Sequence, residues 1–321
     1  MKKKSYPLKF IPVYKDYPWG GSRITQTYSR TIPKKVCAES WEISDREDGM
    51  SVVAKGLLAG QTLRSILQTD SSQILGTRTQ GTRFPLLIKL IDAQQKLSVQ
   101  VHPNDHTATA HGGEAKTEMW VLLGQNPAQV FCGLKKEITP TNFKTAIQAG
   151  TTGDCLQAVP VQKDSVVFVP AGCVHAIDAG CFILEIQQNS NTTYRIHDWN
   201  RMGNDGKPRE LHIKKALQAI DWTTRENPLV ESRLKIDLLG FQCWTLLECD
   251  HFTVEKLILS AAQETVLTGE TFHALFVAEG QAILEWEDGS ETLIAGESIL
   301  IPAALPAYTL DGNATLIRTF V

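Results

Sequence analysis

Apolar residues in this chain come in short runs, and Gly, Pro, Asn or Asp interrupts almost every one. Runs of this length suit strands better than helices. They predict strands at residues 8–14, 41–44, 84–92, 97–102, 119–123, 128–132, 165–169 and 182–188. Turn residues at close intervals, without long helical stretches between, describe an antiparallel barrel or sandwich. Helical spacing is confined to a few places. Leu63, Ile66, Leu67, Ile74 and Leu75 make one stripe, and Ile213, Ala216, Leu217 and Ile220 another. A shorter helix is expected over 141–147, after Pro140, and Asp105 is expected to cap a single turn over 106–111. These helices read as insertions packed on the first barrel.

At 321 residues the chain can bury two cores. The polar segment 221–232 (DWTTRENPLVES) breaks the periodic pattern and reads as a linker, dividing the chain into domains 1–225 and 226–321. Net charge is −3 with no basic stripe, which argues against a nucleic-acid partner. No apolar run approaches the roughly 20 residues that span a bilayer, so no membrane partner is expected. Met1-Lys2-Lys3-Lys4 resembles the start of a signal peptide, but Ser5-Tyr6-Pro7-Leu8-Lys9 interrupts any apolar stretch behind it. The seven cysteines are scattered and never spaced Cys-x-x-Cys, the usage of reduced thiols in a cytoplasmic protein.

Four polar side chains stand out: Gln100, His102, Glu118 and His175. A strand over 97–102 places Ser98, Gln100 and His102 on one face. His175 lies in Pro170-Ala171-Gly172-Cys173-Val174-His175, where Gly172 permits a tight reversal and the returning strand carries His175 inward. Two imidazoles, a carboxylate and an amide oxygen suit a borderline divalent ion. Zn²⁺ so bound keeps a net charge of about +1 and has positions left for water or a substrate oxygen, as a catalytic ion requires. Cys173 and Cys181 flank this set and read as packing residues. Lys116 falls on the face of Glu118, either as its ion-pair partner or to steady a substrate oxyanion. Lys89, inside the apolar run 85–91, is costly to bury unless it meets an anion or lies on an open face.

Residues 235–321 again read as strands, and they repeat the first part of the chain. Asp164 to Pro170 has the spacing of Gly296 to Pro302, and Gly124 corresponds to Gly280. The ligands do not recur. Ala274 stands for Glu118, and Ala304 and Ala307 stand for Gly172 and His175. One metal ion per chain is therefore expected.

Pro-x-Gly-x-x-His resembles the second motif of the cupin barrels. Gln-x-His-Pro followed by Lys-x-Glu resembles the first motif as it occurs in type I mannose-6-phosphate isomerases. The likeness extends to Trp19-Gly20-Gly21, Ala38-Glu39-Ser40-Trp41, Lys89 and Tyr194-Arg195-Ile196-His197-Asp198-Trp199, in order along the chain. It implies a mainly β fold of two cupin-like (jelly-roll) barrels, in the short bacterial form without a long helical insertion. It also implies zinc-assisted interconversion of mannose 6-phosphate and fructose 6-phosphate through an enediol. In that scheme Arg195 is a catalytic cation, with Lys116 beside it and Glu39 as a site carboxylate. Lys89, Ser98 and Asp198 would contact the substrate, with the phosphate at Lys89 together with Ser98. The proton carrier stays open among Glu39, a bound water and Asp198. His175 is followed by Ala176-Ile177 where larger members have Ala-Tyr, so no role for an aromatic carries over there.

Other functions fit less well. An oxidative cupin would be expected to carry a third histidine where Gln100 stands, a donor ill suited to redox work. A noncatalytic sugar-binding cupin would not need metal ligands, Arg195 and Lys116 together. An isomerase of a related phosphosugar is the remaining alternative.

Overall fold

A computed structural model describes residues 5–34, 36–203, 206–223 and 227–321; the Lys-rich start and the expected 225/226 boundary lie outside them. Two compact units form: Tyr14–Ser40 with Ile88–Val230, and Met1–Val13 with Trp41–Leu87 and Glu231–Val321. The segment expected as a linker is partly ordered into the first of these. Asp221 donates its amide to the Gly172 carbonyl, and residues 228–230 hydrogen-bond along 166–168. Helix Leu63–Leu75, expected beside the first barrel, instead belongs to the second unit. There the amides of Ala303 and Ala304 donate to its last carbonyls, at Ile74 and Gln73. The helix stops at Gly76, whose φ of +83° and closeness to the Glu270 backbone leave no space for a Cβ.

The unit that carries the four candidate ligands draws on two sheets. One runs in the order Val166–Val169, Glu118–Leu122, Phe182–Gln188, Leu86–Asp92, Glu39–Ile43, Val13–Lys15. The other runs Tyr194–His197, Val99–Val101, His175–Ile177, Ala128–Leu134, Leu156–Val161. The last of these strands holds Pro160, tolerated because it is an edge strand. A single core of Trp19, Ile91, Leu97, Trp120, Leu122, Val130, Ile177 and Ile183 joins the two sheets. A second layer, centred on Phe143, Val99, Val101 and Ile196, seats helices Pro140–Ala149 and Ile213–Ala219 on the outside of the five-stranded sheet. Helix Asp105–His111 is capped by Asn104, not Asp105. The Asn104 side chain accepts from the Thr107 amide while the Thr107 hydroxyl accepts from the Asn104 amide, a reciprocal box that Asp105 is one residue too late to make.

The other unit is a ten-stranded antiparallel sheet with its own core, including Leu257, Leu275, Leu284, Tyr308 and Leu316. The internal repeat is visible in the pairing. The strand containing Ala274 pairs with Ser298–Ile301, as the strand containing Glu118 pairs with Val166–Val169. The register differs by one residue: Glu118 faces Val169, whereas His273 faces Ile301 and Ala274 faces Leu300. The matched positions Asp164 and Gly296 have φ of +67° and +88°, so both turns need a left-handed residue. That is why an aspartate and a glycine can exchange here.

Glu255 is fully buried in this unit and accepts from Arg318 Nε at 2.8 Å, Arg318 Nη2 at 2.6 Å and Lys235 Nζ at 2.7 Å. Burial opposes its charge, yet Arg318 and Lys235 hold its pKa below the ordinary value. Its contribution to stability is therefore present above the ordinary carboxylate pKa and lost as pH falls through the lowered one. Glu255→Ala should destabilise the protein by about 3 kcal/mol in denaturant titration, because it strands the Arg318 charge indoors. A change below about 0.5 kcal/mol would contradict this reading of the pair.

Candidate active site

Along each inward-facing strand of the ligand-bearing unit, apolar residues give way to polar ones at one end. Leu122 and Trp120 lead to Glu118, Ile91 to Lys89, Ile183 to Glu185, and Ile177 to His175. Glu118, Lys89 and Glu185 line a cavity of about 270 Å³, close to the lower bound for small-molecule sites. The apolar residues below keep water out and lower the dielectric around the charges above.

Glu118, His102 and His175 are buried, and a donor atom from each lies within 4.8 Å of the other two. The imidazoles are held by backbone carbonyls. His102 Nδ1 donates to Thr192 O at 2.8 Å and His175 Nδ1 to Cys173 O at 2.9 Å. Both rings therefore turn a bare Nε2 toward Glu118, the arrangement that fixes tautomer in metal-binding histidines. His175 Nε2 is 3.3 Å from Glu118 Oε1, and His102 Nε2 is 3.5 Å from Oε2. Lys116 Nζ lies 2.5 Å from Glu118 Oε2 and 3.2 Å from His102 Nε2, which leaves Glu118 Oε1 and His175 Nε2 facing each other without that cation between them. Acceptors facing acceptors indoors repel unless a cation stands among them. Gln100 completes the set, with its amide 3.2 Å from His175 Nε2; a half-turn of that amide presents its oxygen. The residues fit a divalent metal.

Register places further groups in one row. Cys132 pairs with His175, His175 with Gln100, and Gln100 with Arg195, so their side chains share a face. Arg195 lines the cavity and donates through Nη1 to the Glu210 carbonyl at 3.0 Å, while its Nε is buried without an acceptor. Burial and the neighbouring Arg209 push its pKa below the ordinary value, the mark of a cation short of counter-charge.

Of the other expected residues, Ser98, Lys89, Lys116 and Glu39 all line the cavity. Lys89 is already paired, with Glu185 at 2.6 Å and Glu39 at 3.6 Å. Asp198 is not on the wall. Its carboxylate is taken up by Arg201 at 2.8 Å and by two bonds from Arg209, at 2.8 and 2.5 Å. Sequence reasoning missed Glu185 and Arg209. Glu185 sits in an apolar run much as Lys89 does, so the same cost of burial pointed to it, and the two are partners. Arg209 carried no such signal.

Burial opposes the Glu118 charge, but Lys116 and the two imidazoles hold its pKa at about 2. Burial likewise pulls Lys116 down to about 8, although Glu118 works the other way, so it can exchange a proton near neutrality. Burial lowers His175, and burial with the Lys116 charge holds His102 well below the ordinary histidine value. In metal-free protein at pH about 6, just under that ordinary value, ¹⁵N NMR should show both rings neutral with the proton on Nδ1. An imidazolium signal from either would overturn the assigned tautomers.

The fold and site together define a cupin-type protein with a buried His–Glu–His metal-binding cluster. Residues 8–128 match the family model for the catalytic domain of phosphomannose isomerase type I, and residues 243–321 match that for the mannose-6-phosphate isomerase cupin domain. The chain is 37% identical to mannose-6-phosphate isomerase ManA of Bacillus subtilis (strain 168), over 97% of its own length and 98% of that protein. It is 32% identical to the mannose-6-phosphate isomerase of Streptococcus mutans, over 94% of each. The crystal structure of the mannose 6-phosphate isomerase from Bacillus subtilis superposes with a TM-score of 0.92 at 31% identity, over 99% of this chain and 100% of that one. The chain belongs to the type I mannose-6-phosphate isomerase family.

Proposed function

We propose that this protein is a zinc-dependent isomerase that interconverts mannose 6-phosphate and fructose 6-phosphate in the cytoplasm. The observation that carries the reading is the convergence of unprotonated donors from Glu118, His102 and His175 beside an unsatisfied arginine. Gln100, His102, Glu118 and His175 would hold the zinc. When bound, it would supply Lewis acidity toward the sugar oxygens at C1 and C2. Among the described residues no helix is long and apolar enough to cross a membrane.

Isomerisation moves a proton between C2 and C1 of the open-chain sugar, and negative charge grows on the two oxygens as it leaves. Arg195, next to Gln100 in the row, meets that charge with a permanently protonated fork. Lys116, beside Glu118, neutralises the other oxygen. Glu39 is the wall carboxylate offered for the proton transfer, because Asp198 is committed to its arginines.

Charge orients the substrate. Around the ligands, Lys89 and Lys116 face three carboxylates, Glu39, Glu118 and Glu185. That end is short of positive charge and suits a metal ion rather than a phosphate. At the other end Arg195, Arg201 and Arg209 outnumber Asp198 as the buried carboxylate. We assign the phosphate to that end, at Arg209, in place of the expected Lys89. Ser98, with its hydroxyl 3.4 Å from the Gln100 oxygen, contacts the sugar between the two ends.

His102→Ala and His175→Ala should each abolish zinc binding and activity while circular dichroism stays native, since the ion is not part of either core. Full zinc retention in either variant would refute the ligand set. Because Ala274, Ala304 and Ala307 replace the ligands in the repeat, the intact chain should hold one zinc. Two tightly bound ions would show that the repeat was misread.

Arg195→Ala should lower kcat on mannose 6-phosphate by about 10²-fold or more, comparable with loss of an oxyanion donor, with a smaller effect on KM. Arg195→Lys should recover part of the loss, and Arg209→Ala should act mainly through KM. Unchanged kcat in Arg195→Ala would move that arginine to phosphate binding.

A further inference from the structure

We propose that Cys132 and Cys173 form a hydroperoxide-sensitive dithiol whose oxidation to a disulfide displaces His175 from the metal site. The two sulfurs are 3.5 Å apart on the inner face of the five-stranded sheet. Neither thiol has a part in the isomerisation, yet both are tied to one ligand. Cys132 is the cross-strand partner of His175, and the Cys173 carbonyl accepts the Nδ1 proton that fixes its ring.

Access separates the two thiols. Cys132 is buried at 2% exposure, whereas Cys173 is half-buried and lines a second cavity of about 60 Å³, apart from the one that holds the ligands. Hydrogen peroxide is about the size of two water molecules, each occupying roughly 30 Å³ in the liquid, so it fits, and a hydroperoxide with a bulky substituent fits less well. The peroxide oxidises the Cys173 thiol to a sulfenic acid while its O–O bond is reduced, releasing one water. The Cys132 sulfur then attacks the Cys173 sulfur and displaces hydroxide, which leaves as a second water with the Cys132 proton. In total two thiols lose two electrons and two protons to one peroxide.

Closing the bond draws the sulfurs from 3.5 Å to about 2.05 Å. Cys132 is held by its pairing with His175 on one side, while toward Leu156–Val161 it sits in the register break between Phe131 and Leu134. Cys173 follows the Gly172 turn, where φ is +87°, and takes up the motion with its carbonyl. Losing that orienting acceptor should weaken metal binding by about 10- to 100-fold. This consequence rests on the proposed metal site; formation of the disulfide does not.

The test treats the zinc-loaded full chain with hydrogen peroxide and follows thiols, mass and released zinc together. Two of the seven thiols should disappear, the mass should fall by about 2 Da, and a Cys132–Cys173 linked peptide should appear as zinc is released. Dithiothreitol should reverse all three changes, and tert-butyl hydroperoxide should act far more slowly. Cys173→Ser should keep its zinc under the same treatment, with Cys132→Ser as the second variant should the first fail to fold. Recovery of Cys173 as a sulfinic or sulfonic acid with Cys132 still a thiol would overturn the dithiol. A linked peptide with zinc fully retained would overturn its coupling to His175, as would zinc loss from both variants at the wild-type rate. If the chain binds no divalent ion before treatment, the metal reading fails, and the linked peptide alone still decides the dithiol.

Discussion

Three lone-pair donors, from Glu118, His102 and His175, converge in a buried cluster, with the Lys116 ammonium at its edge against Glu118 and His102. Lys116 holds Glu118 ionised against the cost of its burial, at a pKa of about 2. The carbonyls of Thr192 and Cys173 take the only proton on each imidazole, which commits both Nε2 atoms to the centre. Lys116 offsets the repulsion on the His102 side only, and Glu118 Oε1 still faces the His175 Nε2 lone pair at 3.3 Å. Around a divalent cation the same atoms become a ligand set, so energy lost in the bare fold is recovered on binding. The apolar ring of Trp120, Leu122, Ile177 and Ile183 below the cluster keeps the interaction strong by excluding water.

From that centre the site extends by register. Antiparallel pairing puts His175, Gln100 and Arg195 side by side, so the proposed ligands and the arginine proposed as catalytic cation are set by the same two strand pairings. Slippage by one residue would turn the whole row outward. The two ends of the cavity differ in charge, with carboxylates in excess around the ligands and guanidinia in excess near Asp198. A phosphosugar, with a polarisable carbonyl at one end and a dianion at the other, matches that asymmetry in only one direction.

Much of this could be read in the sequence because it depends on local pattern. Short apolar runs gave most of the expected strands to within two residues, and the segment 182–188 coincides with the observed strand Phe182–Gln188. The single strand expected over 8–14, however, is two, Leu8–Ile11 and Val13–Lys15, in different sheets. The Gly172 turn and the ligand positions follow from spacing and from the family likeness. What the sequence hid depends on partners distant in the chain. The fate of Lys89 could not be read without Glu185, nor that of Asp198 without Arg209, eleven positions on. Domain membership was hidden for the same reason. Helix Leu63–Leu75 has an ordinary amphipathic stripe, and nothing local says that its end meets Ala303 and Ala304.

The central claim is that the Glu118 cluster needs a cation to do its chemistry. Metal-stripped protein titrated with zinc, with fructose 6-phosphate formation from mannose 6-phosphate followed at each step, tests it most directly. Activity should be absent at the start, rise in proportion to added zinc and level off at one equivalent per chain. Full turnover by metal-free protein, or activity that does not respond to any divalent ion, would contradict the account.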